Sequence, residues 1–247
     1  MRQVVRVRGR VAALAAAAVL LGSAPAAADT LRYDGAWFAP YHSSYTLYDS
    51  TPPVTIGASA GAFRMTDTSG PTLAAGTSFM AWCVDIYHRL NTGSSGSSYV
   101  LRTAEEFYGA GSATIDRLER LASYVVDNDG NALSNTLQAA LTGNFQSAAF
   151  QLAVWEIVNE GSASTFNVNS GDFYVTGGSS SARQQANTWI TNSQTWARTQ
   201  VFSIWEGPNT TQDLAVFAPI PEPETYAMIL AGLGLMGFVA RRRRAAG

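Results

Sequence analysis

Residues 29–220 predict a single α+β domain, and three observations carry that expectation. Segments of alternating, aromatic-rich sequence fill the first third. Apolar positions then recur at helical spacing through the middle, and two further strand-like runs close the region. The order β-rich, α-rich, then β lacks the regular alternation of βαβ units. The expected architecture is therefore a β-rich domain with a central helical segment, flanked by a signal peptide (1–28) and a C-terminal segment (221–247) carrying a transmembrane helix.

In chain order, Leu31–Phe38 and Tyr41–Tyr48 read as strands separated by Ala39-Pro40. Pro52-Pro53 marks a break before Val54–Ile56, and Ala62–Met65 is expected to pair with that strand across Gly57–Gly61. Ser78–Tyr87 is a further strand, followed by a Gly- and Ser-rich loop over Asn91–Ser98. Thr103 before Glu105 and Glu106 suits a helix N-terminus. Ile115, Leu118, Leu121, Ala122 and Val125 share a helical face, Leu137, Ala140 and Leu141 mark a second helix, and Gln146–Val158 a third. Ser180–Ala197 predicts a fourth, and Val201–Trp205 and Leu214–Ala218 are the closing strands. Six tryptophans and ten tyrosines supply a large core for this length.

Composition narrows the function classes. The 247-residue chain is 47% hydrophobic and 14% charged, against roughly 25% charged in an ordinary soluble domain, which excludes a disordered polyelectrolyte. A net charge of −2 with no basic face excludes a nucleic-acid partner. One cysteine excludes a disulfide framework and a multi-cysteine metal cluster. All 16 basic residues are arginine, and eight of them lie at the two ends. Between Asp29 and Ile220, sixteen acidic residues face eight arginines, a net charge near −8.

The N-terminal arginines (Arg2, Arg6, Arg8, Arg10) precede the eleven-residue apolar run Val11–Leu21 and the small residues Ala26 and Ala28 at −3 and −1. That pattern is a secretory signal peptide cleaved after Ala28 by signal peptidase. Eleven helical residues span roughly 16 Å, too short for the ~30 Å of hydrocarbon. At the other end, Pro221-Glu222-Pro223 leads into the fifteen-residue apolar run Tyr226–Ala240, then Arg241, Arg242, Arg243 and Arg244. The arginines stay cytoplasmic by the positive-inside rule, so the region upstream faces out from the inner membrane. These three parts in this order resemble the PEP-CTERM sorting signal of Gram-negative bacteria, also catalogued as an ice-binding protein C-terminal domain. The resemblance implies recognition by exosortase, passage through a membrane-anchored intermediate, and a place at the cell surface or in an extracellular matrix of exopolysaccharide and biofilm.

Within the domain, Asp127-Asn128-Asp129-Gly130-Asn131 departs from a calcium loop at Ala132 and Gln138 and reads as a solvated turn. Asp85 and His88 near Cys83 invite a cysteine–histidine hydrolase, but on a strand Cys83 and Asp85 share a face and His88 does not, and His42 is the other histidine. No P-loop, dinucleotide fingerprint or G-x-S-x-G elbow occurs. No metal or cofactor is expected.

Two polar groups stand out in apolar surroundings: Cys83 in Trp82-Cys83-Val84, and Gln151 in Phe150-Gln151-Leu152-Ala153-Val154-Trp155. Read alone, they are a packed thiol and a hydrogen-bonded amide. Together they resemble the thioester domains of bacterial surface adhesins, with Phe150 where that family has threonine and Trp82 where it has tyrosine, phenylalanine or leucine. The resemblance implies a Cys83–Gln151 thioester, Trp155 packed beside it, and covalent capture of an amine-bearing partner. Gln138 and Gln146 are alternative acyl donors. The absence of lysine fits a chain that does not cross-link its own copies, and equally fits a genome that favours arginine. The expected role is non-enzymatic, in adhesion or surface matrix. The alternatives are a passive structural or carbohydrate-contacting protein and, third, a secreted hydrolase.

Overall fold

The computed structural model describes residues 27–41, 43–128, 135–160, 165–220 and 236. The signal peptide up to residue 26, the Pro221-Glu222-Pro223 motif, the Tyr226–Ala240 run apart from Met236, the four terminal arginines, His42 and residues 129–134 of the acidic turn lie outside the described residues.

Nine strands and five helices make up the described domain, mixed as the sequence predicts. The strands are β1 (Ala28–Ala36), β2 (Ser44–Ser50), β3 (Pro53–Ser59), β4 (Phe63–Asp67), β5 (Ser78–Cys83), β6 (Ser97–Thr103), β7 (Phe173–Gly177), β8 (Gln200–Glu206) and β9 (Leu214–Pro219). The helices are α1 (Ala104–Tyr108), α2 (Ala113–Asp127), α3 (Leu137–Ala140), α4 (Asn144–Asn159) and α5 (Ser180–Ser193).

Six strands close into an antiparallel barrel in the order β1-β4-β5-β9-β8-β6, with β6 pairing back onto β1. The other three form a separate sheet, β3-β2-β7. This corrects the expected pairing of Ala62–Met65 with Val54–Ile56. Thr51 and Pro52 make a tight reversal, so β3 zips back along β2 from Ser50↔Pro53 to Ser44↔Ser59. Gly61, at φ +145°, then turns the chain away, and β4 enters the barrel between β1 and β5. Any side chain at Gly61 would press on Tyr41 and Ser147.

Local chemistry explains the helices. Thr103 and Glu106 form a reciprocal capping box at α1. On α2 the predicted face (Ile115, Leu118, Leu121, Ala122, Val125) is buried. Ser123 on the same helix accepts the Thr199 and Gln200 N–H groups at 2.8 and 3.0 Å, docking the start of β8. α5 ends at Ser193, short of the predicted Ala197, and beyond it the Trp196 indole N–H donates to Asp127 at 2.8 Å. α4 is buried almost all round, from Ser147 to Ile157, as expected of a helix lodged between other layers rather than lying on a surface. It packs on α2 and α5 on one side and on β5 and β7 on the other. A central helix buried on nearly every side is what brings the barrel, the small sheet and the other helices into one core.

Candidate functional site

The site is built where β5 ends. β4 and β5 pair in the register Phe63↔Ala81, so the residue that would face Cys83 is Gly61, the position where the chain has already turned off. On that side the Cys83 main chain has no strand neighbour to bond. α4 supplies the missing partner. The Gln151 carboxamide accepts from the Cys83 N–H through Oε1 at 3.0 Å and donates from Nε2 to the Cys83 carbonyl at 2.8 Å. One turn earlier, Ser147 Oγ accepts the Ala62 N–H at 2.8 Å. Ser147, Gln151 and Trp155, four residues apart, form a single stripe along α4 that continues the sheet with side chains.

Packing fixes this arrangement. Trp82 and Phe150, each preceding its polar neighbour, meet with ring centroids 4.6 Å apart, and Phe150 also meets Phe217 of β9 edge-on at 5.5 Å. Cys83 is 0% exposed and Gln151 1%. The Cys83 thiol donates to the Asp85 carbonyl at 3.0 Å. Burial pushes the thiol up to about 12, only partly offset by the Trp155 indole N–H and the Asp85 main chain. The indole N–H favours the sulfur anion from nearby without a hydrogen bond of normal geometry, and Trp155 Nε1 is otherwise buried without a partner.

The alternative acyl donors lie elsewhere. Gln138 is exposed on α3. Gln146 turns back to accept from the Thr142 N–H and hydroxyl at 2.7 and 2.9 Å, covering the first turn of α4. Ser147 is the participant that the sequence reading missed, although a serine four residues before a glutamine in an apolar helix is a legible signal.

The Cys83–Asp85–His88 neighbourhood differs from the expected strand. β5 stops at Cys83 instead of running to Tyr87, and the chain bends over 86–88. Asp85 and His88 therefore meet, with Nδ1 and Oδ2 2.6 Å apart, instead of facing opposite ways. Asp85 also accepts the Tyr87 N–H at 2.8 Å, and the Tyr87 hydroxyl donates to Asp49 at 2.6 Å. The imidazole is thus engaged by Asp85, and the thiol by a carbonyl. No group of three or more His, Cys, Asp or Glu side chains suited to a metal occurs among the described residues.

Past β9 the chain continues from Ile220 into the segment whose sequence carries Pro-Glu-Pro, an apolar run and an arginine cluster. Residues 219–244 match the family model of the PEP-CTERM protein-sorting motif. The tail is a PEP-CTERM sorting motif. Such a motif implies export, a membrane-anchored sorting intermediate in a Gram-negative bacterium, and processing by exosortase. Among the described residues no helix is long and apolar enough to cross a membrane, and the Tyr226–Ala240 run lies outside them. No curated protein matches the chain significantly. In overall structure the chain is similar to the N-terminal thioester domain of a surface protein from Clostridium perfringens, with a TM-score of 0.42, 14% identity, and coverage of 71% of this chain and 99% of that one. It is likewise similar to a cysteine-to-alanine mutant of that domain, with a TM-score of 0.44, 13% identity and the same coverage.

Proposed function

We propose that this PEP-CTERM protein is a surface adhesin-like protein whose Cys83 and Gln151 condense into an internal thioester, and that its role is covalent attachment rather than turnover. The observation that carries the reading is the paired hydrogen bonding of the Gln151 carboxamide to the Cys83 main chain in a water-free site. The reacting amide is thereby held against the residue that bears the nucleophile, and the Cys83 N–H already points at the oxygen on which negative charge develops.

The step balances simply. The Cys83 sulfur adds to the Gln151 amide carbon. The thiol proton passes to the amide nitrogen, the C–N bond breaks, and ammonia leaves. An unprotonated amine then attacks the acyl carbon of the thioester; the C–S bond breaks, the amine's proton passes to the departing sulfur, and a new amide forms as the thiol is restored. Exclusion of water protects such a bond from hydrolysis. Sorting through the tail would present the site outside the inner membrane, where an amine-bearing surface partner or matrix component is met.

Intact mass of the purified, processed chain tests this. The expected value lies about 17 Da, one ammonia, below the sequence mass, and methylamine raises it by about 31 Da while freeing one thiol. Cys83→Ala removes both effects. An unmodified mass, with a chain inert to methylamine, overturns the thioester and leaves the passive surface protein.

A further inference from the structure

The chain that leaves β5 forms a strap, residues 84–88, and the bonds that hold it fall into two sets. The first set lies on the two reactive side chains. The Cys83 carbonyl, at the root of the strap, accepts from Gln151 Nε2 at 2.8 Å, and the Asp85 carbonyl accepts from the Cys83 thiol at 3.0 Å. Among the described residues the thiol is the donor that the Asp85 carbonyl has. The second set does not involve the sulfur or the carboxamide. The Val84 N–H donates to the Asp213 carbonyl, just ahead of β9, at 3.1 Å. The Asp85 carboxyl accepts the Tyr87 N–H at 2.8 Å and meets His88 Nδ1 at 2.6 Å, and the Tyr87 hydroxyl donates to Asp49 of β2 at 2.6 Å. Val84 and Ile86 are buried with the sulfur, whereas Tyr87 is 44% exposed. One face of the strap therefore closes on the thiol, and its outer end is tied to the three-stranded sheet.

Thioester formation acts on the first set alone. As the C–S bond forms and the C–N bond breaks, the thiol proton joins the departing amide nitrogen. The ammonia that leaves thus carries off both donors, the Sγ–H of the Asp85 carbonyl and the Nε2–H of the Cys83 carbonyl. Gln151 Oε1 remains as the thioester oxygen, within reach of the Cys83 N–H. Two carbonyls two residues apart are then left without donors where water does not reach, a state relieved only when they turn to solvent.

We propose that the 84–88 strap is a lid over the acyl carbon whose closure is set by the chemical state of Cys83: shut over the thiol, loosened over the thioester, and latched at its outer end by Tyr87 and Asp49. The lid rests on the thioester reading and adds to it the route by which an amine reaches a buried bond. The latch keeps the opening transient, so water is admitted only while the strap is lifted. Amine attack returns a proton to the sulfur, which restores the bond to Asp85 and shuts the strap over the product. Condensation opens the site, and capture closes it.

The test compares the full chain, exported in a Gram-negative host and purified in detergent, as wild type, Cys83→Ser and Cys83→Ala. Intact mass records the loss of ammonia, and hydrogen exchange follows the Val84 and Tyr87 amides. Serine keeps a hydroxyl donor for the Asp85 carbonyl, alanine keeps none, and both retain the Gln151 carboxamide. A wild-type chain lighter by one ammonia should exchange at least about tenfold faster than Cys83→Ser, the effect of two buried carbonyls without donors, with Cys83→Ala between them. Tyr87→Phe, which removes only the latch, should speed methylamine capture at least about fivefold without changing the ammonia loss. Equal exchange in Cys83→Ser and in a wild-type chain that has lost ammonia overturns the lid and leaves the thioester standing. A wild-type chain at full sequence mass overturns the thioester and the trigger together. Equal exchange in the serine and alanine variants overturns the hold of the sulfur on Asp85 whatever the mass, and unchanged capture by Tyr87→Phe overturns the latch.

Discussion

Replacing Gln151 by leucine in a Cys83→Ala background isolates the hydrogen-bonded pair from any thioester chemistry. Alanine at 83 keeps the main-chain N–H and carbonyl, so Gln151→Leu removes two bonds of 3.0 and 2.8 Å from groups that water does not reach. Each buried main-chain group left without a partner costs about 1–3 kcal/mol. Leucine returns about 1 kcal/mol through added apolar burial. The net loss expected is about 2–4 kcal/mol, or about 5–15 °C in Tm for a domain of this size. Urea melts followed by tryptophan fluorescence read this directly, since Trp82 and Trp155 flank the pair. Gln151→Glu in the same background supplies the control. As the neutral acid it can still accept from the Cys83 N–H and donate to the Cys83 carbonyl, whereas the carboxylate cannot donate. Its stability should therefore fall as pH rises, while the leucine variant shows no such slope. A loss below about 1 kcal/mol for the leucine variant would refute the reasoning, because the end of β5 would then not depend on the carboxamide.

Two further outcomes are expected. Glu156 on α4 is fully buried, accepts from the Asn167 N–H at 2.6 Å through Oε1, and has no partner on Oε2; burial pushes it up to about 8 from 4.5. A folded-state value above the unfolded one leaves stability intact below about pH 4.5 and removes it as pH rises through 8, so the protein should lose about 4 kcal/mol between pH 5 and 9. Glu156→Gln should flatten that profile, and parallel denaturation curves for the two proteins would contradict the assignment. In the tail, changing Pro221, Glu222 and Pro223 together to alanine should block exosortase processing while leaving export intact; unchanged processing of the variant on immunoblots would defeat the role given to that motif.

Much of this architecture is legible in local chemistry. The spacing of Ile115 to Val125 marks α2, and the threonine and glutamates at 103–106 mark the cap of α1, because helix signals are local. Strand partners are not local. Nothing near Ala62 says that its strand joins β1 and β5 rather than the nearer β3, since register is decided by which face of each strand the whole core buries. β7 went unread because Phe173–Gly177 is short and becomes a strand by zipping onto β2, more than a hundred residues upstream. β6 (Ser97–Thr103) has no counterpart among the expected strands, because the glycines and serines before it read as a loop. At the site, Cys83 and Gln151 were nominated by residue type and by resemblance. That they meet, across 68 positions of sequence, is a product of Gly61 ending the β4 ladder early, and no pattern around either residue encodes it.

The placement of β9 has a mechanical consequence. Its last residues lead into the sorting tail, while its first two pair with Trp82 and Cys83. Along its whole length it runs antiparallel to β8, from Trp205↔Leu214 to Gln200↔Pro219. Tension between a membrane-held tail and a partner attached at Gln151 would enter at one end of β9 and leave near the other. Such a pull runs along the strand, so the β8–β9 bonds are sheared together instead of being unzipped one at a time. At the other end the pull reaches β9 from Gln151 through α4, so the packing of that helix on α2, α5, β5 and β7 shares the load.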